Sequence, residues 1–77
     1  MSDNFQVPSR AAAVTPSDTT EIYASALYVG GGGSLAVVTE GGDTVSFNGV
    51  QGGSMLVLRV RQVRATSTTA TNIVRLW

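Results

Sequence analysis

The chain contains no cysteine, no histidine and no lysine. The missing cysteine excludes disulfides and thiolate nucleophiles, and the missing histidine excludes imidazole metal ligands and histidine-dependent catalysis. The missing lysine excludes Schiff bases and the phosphate-binding loops that depend on that residue. We therefore expect no enzyme, and we assign no catalytic, metal-binding or cofactor-binding residue.

Long hydrophobic runs are also missing from the sequence. No segment approaches the roughly 18 apolar residues that a membrane-spanning helix requires. Residues 1–6 lack the basic and apolar regions of a signal peptide. We therefore expect synthesis in the cytoplasm and no membrane partner.

The net charge is zero, but the charges are unevenly distributed. Residues 1–43 hold five acids and one arginine, for a net charge of −4, whereas residues 44–77 hold four arginines and no acid, for +4. Oppositely charged halves attract each other, either within a chain or head to tail between chains. Four arginines balanced by acids make a poor footprint for phosphates, so no nucleic-acid partner is expected.

The small size of the chain limits its stability. A chain of 77 residues forms one domain, which buries only about 60–65% of the surface that the unfolded chain exposes. Oligomerisation is a common means of stabilising so small a core when disulfides and metals are absent. We therefore expect either a homo-oligomer or a subunit that docks on another protein.

The hydrophobic pattern has a period of two residues, and no segment sustains a period of 3.6. This pattern predicts an all-β fold, a small antiparallel β-sandwich or barrel of about five short strands. The predicted strands are residues 26–29, 34–40, 44–47, 55–63 and 73–77, separated by glycine-rich turns. Residues 1–12 show no period that would bury a face, which predicts an N-terminal arm, flexible or docked on a neighbour, before a single domain at 13–77.

The connecting segments allow several interpretations. Residues 15–18, Thr-Pro-Ser-Asp, predict a turn, and the alternative is one helical turn reaching Ala24. The four glycines at 30–33 predict a hairpin connection, because no helix follows that could present its N-terminus to a phosphate. The Ser/Thr-rich tract 65–71 is either a loop whose threonines satisfy backbone groups or an extended arm, and we favour the arm.

Arginines and aromatic residues supply the candidate contact sites. Arg59, Arg61 and Arg64 lie in or just after the longest predicted strand, where they face either an interface or solvent. Trp77 ends the chain and must be covered by the domain's own core or by an adjoining subunit. The other aromatic residues singled out, Tyr23, Tyr28 and Phe47, are expected to complete the core. Glu40 and Asp43 flank a glycine pair and are expected to form a solvated turn rather than a calcium or acid/base site.

Four segments together carry a family resemblance: residues 13–18 (AVTPSD), 26–37 (ALYVGGGGSLAV), 45–53 (VSFNGVQGG) and 60–77 (VRQVRATSTTATNIVRLW). In these segments the chain resembles the spike base proteins of gene transfer agents and related tailed bacteriophages. The stretch 60–77 is the most specific, because an arginine-bearing strand, a Ser/Thr/Ala tract and a terminal Leu-Trp follow one another there.

The resemblance implies a virion structural protein on the exterior of the head, made in the host cytoplasm. Its implied partners are the major capsid protein, copies of itself in a ring-like homo-oligomer, and a spike fibre protein as a further candidate. The ring is either a pentamer at the vertices or a trimer in a cement layer at three-fold positions. The predicted protein-interface residues are Arg59, Arg61, Arg64, Arg75 and Trp77. The alternative function is a carbohydrate-binding module of a spike or tail that contacts host polysaccharide.

Overall fold

The computed structural model describes residues 8–77 and confirms the all-β prediction. It has seven strands where five were predicted. They are β1 (Ala11–Val14), β2 (Ala26–Gly31), β3 (Gly33–Thr39), β4 (Thr44–Val50), β5 (Ser54–Leu56), β6 (Val60–Val63) and β7 (Thr71–Leu76). No helix capable of crossing a membrane occurs among residues 8–77.

The strands form two antiparallel sheets that enclose one core. The four-stranded sheet has the order β1-β7-β2-β5, and the three-stranded sheet has the order β4-β3-β6. Alternate residues of β2 and β3 point between the sheets, so that Leu27, Val29, Leu35 and Val37 are completely buried. The period of two in the sequence thus becomes the inner face of a small sandwich.

The prediction of one strand at residues 55–63 is wrong, because the segment forms two strands. Its first part, β5, pairs with β2 in one sheet, and its last part, β6, pairs with β3 in the other. The intervening residues 57–59 cross from sheet to sheet. The alternation nevertheless continues through the crossing, since Leu58 packs against the core while Val57 is 80% exposed. Periodicity detects the inward face but cannot show that the hydrogen-bonding partner changes.

Strand β1 was not predicted, because its alanine run has no hydrophobic alternation. It pairs with β7 over four residues, from Ala11 opposite Leu76 to Val14 opposite Ile73. Ser9 and Arg10 continue this pairing through backbone hydrogen bonds to Trp77. The predicted arm falls mostly on residues 1–7, which lie outside the described residues.

The hairpin predicted at residues 30–33 is also wrong. Strands β2 and β3 lie in different sheets, and only Gly32 separates them. A Cβ atom on Gly32 would lie 2.7 Å from the carbonyl oxygen of Val50, and one on Gly31 would collide with the Thr71 hydroxyl. Glycine is therefore required here because the chain passes closely between neighbouring segments.

The Ser/Thr-rich tract is a loop, so the favoured extended arm is wrong and the loop alternative is confirmed. Thr68 Oγ1 accepts a hydrogen bond from the Ala36 amide at 3.0 Å, and Thr69 Oγ1 accepts one from the Ser34 amide at 2.8 Å. These hydroxyls satisfy backbone groups of β3 beyond the end of β6. The chain bends at residues 18–19, at the end of the turn predicted at 15–18, and the alternative helical turn does not form. Ser17 Oγ accepts hydrogen bonds from the amides of Thr19 and Thr20.

Candidate protein-interaction surfaces

The three arginines of the β6 region, called here the arginine row, each pair with an acid from the first half of the chain. The pairs are Arg59 with Glu40 (3.8 Å), Arg61 with Glu21 (4.0 Å) and Arg64 with Asp18 (3.7 Å). The oppositely charged halves therefore attract each other within one chain. The Arg59 side chain remains 71% exposed and that of Glu40 59%, and exposed pairs of this kind contribute little stability.

Asp18 is the best-connected acid of this group. Its carboxylate accepts hydrogen bonds from the Thr66 hydroxyl (2.6 Å) and from the amides of Thr66 (3.1 Å) and Ala65 (3.0 Å). The bond from the Thr66 hydroxyl is the main reason why the pKa of Asp18 lies below its usual value, and Arg64 adds to the effect. Asp18 therefore fastens the Ser/Thr-rich loop to the turn after β1.

Trp77 is held by its own chain. The Arg75 guanidinium lies 3.7 Å from the centre of the indole ring, and that of Arg10 lies 5.2 Å away. The Trp77 amide also donates to the carbonyl of Arg10 at 2.9 Å. Arg75 donates to the backbone carbonyls of Ile22 and Tyr23. These contacts come from the domain itself and leave Trp77 half-buried.

An open pocket of about 150 Å³ lies beside Trp77. Its lining residues are Tyr23, Ala24, Ser25, Glu40, Arg59, Val60 and Trp77. Tyr23 is 57% exposed and adopts a positive φ of 54°, a conformation uncommon for an aromatic residue. Its hydroxyl donates to Glu21 at 2.7 Å, which raises the pKa of Tyr23. The prediction that Tyr23 completes the core is therefore wrong.

The turn at residues 40–43 shows no arrangement for metal binding. Asp43 accepts a hydrogen bond from the Thr39 hydroxyl at 3.4 Å, and both Glu40 and Asp43 are exposed. Residues 8–77 contain no group of three acidic side chains that could hold a metal ion.

The outer face of the four-stranded sheet is the largest feature that the sequence analysis missed. Residues directly opposite each other in neighbouring strands share a face. The register places Tyr28 opposite both Met55 and Val74, and Ala13 opposite Val74. The apolar residues that the register places on this outer side, called here the apolar face, are Ala11, Ala13, Ala26, Tyr28, Met55, Val74 and Leu76, of which Ala26 is buried.

No charged residue lies on the outer face of this sheet within the four strands. Met55 is 55% exposed and Tyr28 is 39% exposed, so Tyr28, like Tyr23, lies outside the core. Val57, two residues beyond Met55, extends the exposed apolar surface. The arginine row belongs instead to the β6 side of the molecule, and Arg75 faces inward opposite Leu27.

The comparisons with known proteins identify the family. No protein-family model and no curated protein matches the chain. A chain of a solved structure described as "Capsid of native GTA particle computed with C5 symmetry" matches with 38% sequence identity and a TM-score of 0.82. The match covers 92% of this chain and 84% of that chain. The chain belongs to this gene transfer agent capsid family.

This family supports the resemblance found in the sequence as far as a gene transfer agent or phage head protein.

A sequence signal for the apolar face exists in the runs Ala-Leu-Tyr-Val at 26–29 and Ile-Val at 73–74. Near-continuous apolar strands are typical of sheets covered on both faces. The alternation of Leu27 and Val29 accounts for only one of those faces. Tyr28 and Val74 occupy the other one, which the described chain leaves uncovered.

Proposed function

We propose that the chain is a virion structural protein on the outer surface of a phage or gene-transfer-agent head. It acts as a decoration, cement or spike-base subunit, without catalytic activity, and binds the major capsid protein through the apolar face. The single observation that carries this proposal is an uncharged and partly exposed sheet face in a member of a capsid protein family.

An exposed apolar sheet face of this kind favours a protein partner. Soluble monomers rarely expose a contiguous apolar surface of several strands, and such surfaces usually mark interaction sites. Tyr28 on β2 and Met55 on the edge strand β5 lie side by side and offer large side chains for burial. Aromatic residues and methionine are enriched at the centres of protein interfaces.

Symmetry favours the capsid protein over a second copy as the occupant of this face. One flat face packs on the same face of another copy about a two-fold axis. A ring-like oligomer with three or five subunits needs contacts between different surfaces of each copy. The apolar face therefore remains free in the proposed ring and is available to the shell beneath it.

The interface residues predicted from the sequence lie outside the apolar face, and we propose that they form a second, polar and aromatic part of the contact. They are Arg59, Arg61, Arg64, Arg75 and Trp77. Arg59 is the best placed of them, since it follows Val57 by two residues and is largely exposed. Weak, exposed ion pairs can exchange their carboxylates for those of a partner, which arginine binds in a bidentate manner.

The proposal is tested by the binding of purified variants to particles that lack this protein. Met55→Asp places a charge on an exposed residue of the apolar face. We expect it to weaken co-sedimentation with particles by at least about tenfold, because the carboxylate loses its water on docking. Gln51→Asp, an exposed change in the turn between β4 and β5, is the matched control and should bind like the wild type.

The stability of each variant separates docking from folding. Both substituted positions are exposed, so we expect the free energy of unfolding to change by no more than about 0.5 kcal/mol. If Met55→Asp is folded and binds particles as tightly as the wild type, the apolar face is not the docking surface and the proposal fails in this form.

A carbohydrate-binding role is the second candidate, and the pocket beside Trp77 is the observation that favours it. Tyr23 and Trp77 supply aromatic surface, while Glu40 and Arg59 supply groups that can hydrogen-bond to sugar hydroxyls. Binding of the isolated protein to a glycan array, abolished by Tyr23→Ala, would support this function. Retained particle binding by the same variant would assign the pocket and the apolar face to separate partners.

A further inference from the structure

The free edges of the two sheets differ in how well they are protected. The outer edge of β6 is covered by the segment before β2. The Ile22 and Ala24 amides donate to the carbonyls of Arg61 and Val60, both at 2.8 Å. Ser25 donates in turn to Leu76 of the other sheet, so this segment bridges the two sheets. Strand β5, the edge of the four-stranded sheet, has only three residues.

Strand β4 is the long edge without such cover. It has seven residues, none of them charged, and within residues 8–77 its backbone pairs only with β3. Val45 points to the core side and is 38% exposed, whereas its partner Val37 is completely buried. The core is therefore open at β4. Long, uncharged edges are sites for pairing with another strand.

The hydrogen-bond pattern shows which backbone groups of β4 face outward. The Ala36 carbonyl accepts a hydrogen bond from the backbone amide of Arg64, and the Ala36 amide donates one to Thr68 Oγ1. The backbone polar groups of Ala36 therefore face away from β4. Ser46 is opposite Ala36. Opposite residues in an antiparallel ladder alternate between bonded and non-bonded pairs, so the amide and carbonyl of Ser46 also point outward.

Strand β1 presents the complementary edge. Arg10 and Trp77 exchange both backbone hydrogen bonds, at 2.7 and 2.9 Å. The same alternation then turns the amides and carbonyls of Ala11 and Ala13 away from β7. These side chains are short and uncharged, so another backbone can approach closely.

We propose that β1 of one copy of this chain pairs with β4 of the next copy. Each copy then contributes its β1 edge to one neighbour and its β4 edge to the other. Such a contact joins two different surfaces, so it generates a ring when the rotation from copy to copy closes. Pairing of β4 with β4 would instead give a two-fold dimer. The related capsid was computed with C5 symmetry, and a ring of copies agrees with a five-fold axis. The inference rests on the ring-like oligomer of the proposed function, but not on docking through the apolar face.

Proline substitutions test the two edges separately. Ser46→Pro and Ala13→Pro each remove one outward amide that makes no bond within the sheets, and proline is tolerated on edge strands. We expect each variant alone to lose all species larger than a monomer in sedimentation velocity. Mixed together, the two variants retain one intact β1 and one intact β4, so we expect a complex of two chains and nothing larger.

The control variants are Ser46→Ala and Ala13→Ser, which keep the amides and should associate like the wild type. A β4–β4 contact predicts a different result, because Ala13→Pro would then still form dimers. A wild-type chain that stays monomeric at its highest soluble concentration overturns the proposal. So does association of folded Ser46→Pro into wild-type oligomers.

Amide hydrogen exchange provides a test without substitutions. On association of the wild type, the amides of Ser46 and Ala13 should exchange more slowly, whereas the amide of Val45, which faces β3, should change little. Unchanged exchange at both positions in an oligomer would place the joint elsewhere. Particle binding by monomeric Ser46→Pro would show that docking and self-association are separate properties.

Discussion

At the scale of single residues, the sequence pattern does not predict which acid pairs with which arginine. Which acid pairs with each arginine of the row depends on the path of the chain between β1 and β2 and on the turn after β3. Asp18 and Arg64 are 46 positions apart and still pair at 3.7 Å. A pairing between such distant positions cannot be inferred from local spacing.

Asp18 gives a prediction about pH. Its folded-state pKa is lowered below the ordinary value of 3.8, chiefly by the Thr66 hydroxyl. A lowered pKa means that the ionised carboxylate stabilises the fold above the unfolded-state value, and that this stabilisation is lost as the pH falls through the folded value. We expect Asp18→Asn to be less stable than the wild type near neutral pH, and the difference to shrink in acid.

Urea unfolding of both proteins at about pH 7 and about pH 2 measures this difference. Asp43→Asn is the matched control, because Asp43 accepts a single side-chain hydrogen bond, at 3.4 Å, within its own turn. A difference between wild type and Asp18→Asn that is the same at both pH values would contradict the role assigned to the carboxylate.

At the scale of elements, the crossing from β2 to β3 depends on close approach at Gly32. A Cβ at that position would lie 2.7 Å from the Val50 carbonyl oxygen and 3.0 Å from the Gly52 amide nitrogen. Both are backbone atoms of the neighbouring connection, so relief requires one segment to move. We expect Gly32→Ala to lower the free energy of unfolding by about 1–3 kcal/mol.

Gly41→Ala is the control for Gly32→Ala. A Cβ on Gly41 would meet the Thr39 hydroxyl at 3.9 Å, an ordinary contact. The free energy of unfolding, measured by denaturant titration, should therefore change by no more than about 0.5 kcal/mol. Equal effects of the two substitutions would mean that close packing at the crossing does not limit stability.

The elements themselves were predictable where one face is polar and the other apolar. Strand β4 follows that rule. Strand β3 is buried on both faces, with Ala36 and Val38 covered as well as Leu35 and Val37, and it was predictable from its β-branched residues instead. Strand β1 escaped prediction because Ala11–Val14 is small and apolar on both faces. The apolar face escaped for the same reason, since Tyr28 lies in an uninterrupted apolar run and period alone cannot assign it to the outside.

At the scale of the whole molecule, the described chain shows two kinds of surface that are incomplete by themselves. The apolar face offers side chains without charge, and the edges of β1 and β4 offer backbone groups without partners. The first kind fits a broad protein surface beneath the domain, and the second fits copies beside it. A small domain with both kinds of surface can be held on a shell by many repeated contacts, each of modest strength.

Cementing is the whole-particle consequence that can be measured. If each copy ties neighbouring capsid subunits together, particles without the protein should rupture at a lower temperature than complete particles, because repeated docking adds buried surface to the shell. Added wild-type protein should restore the rupture temperature, Gln51→Asp should do the same, and Met55→Asp should not. Particles that rupture at the same temperature with and without bound protein would exclude cementing and favour a spike base, whose contribution lies in carrying a fibre rather than in strengthening the shell.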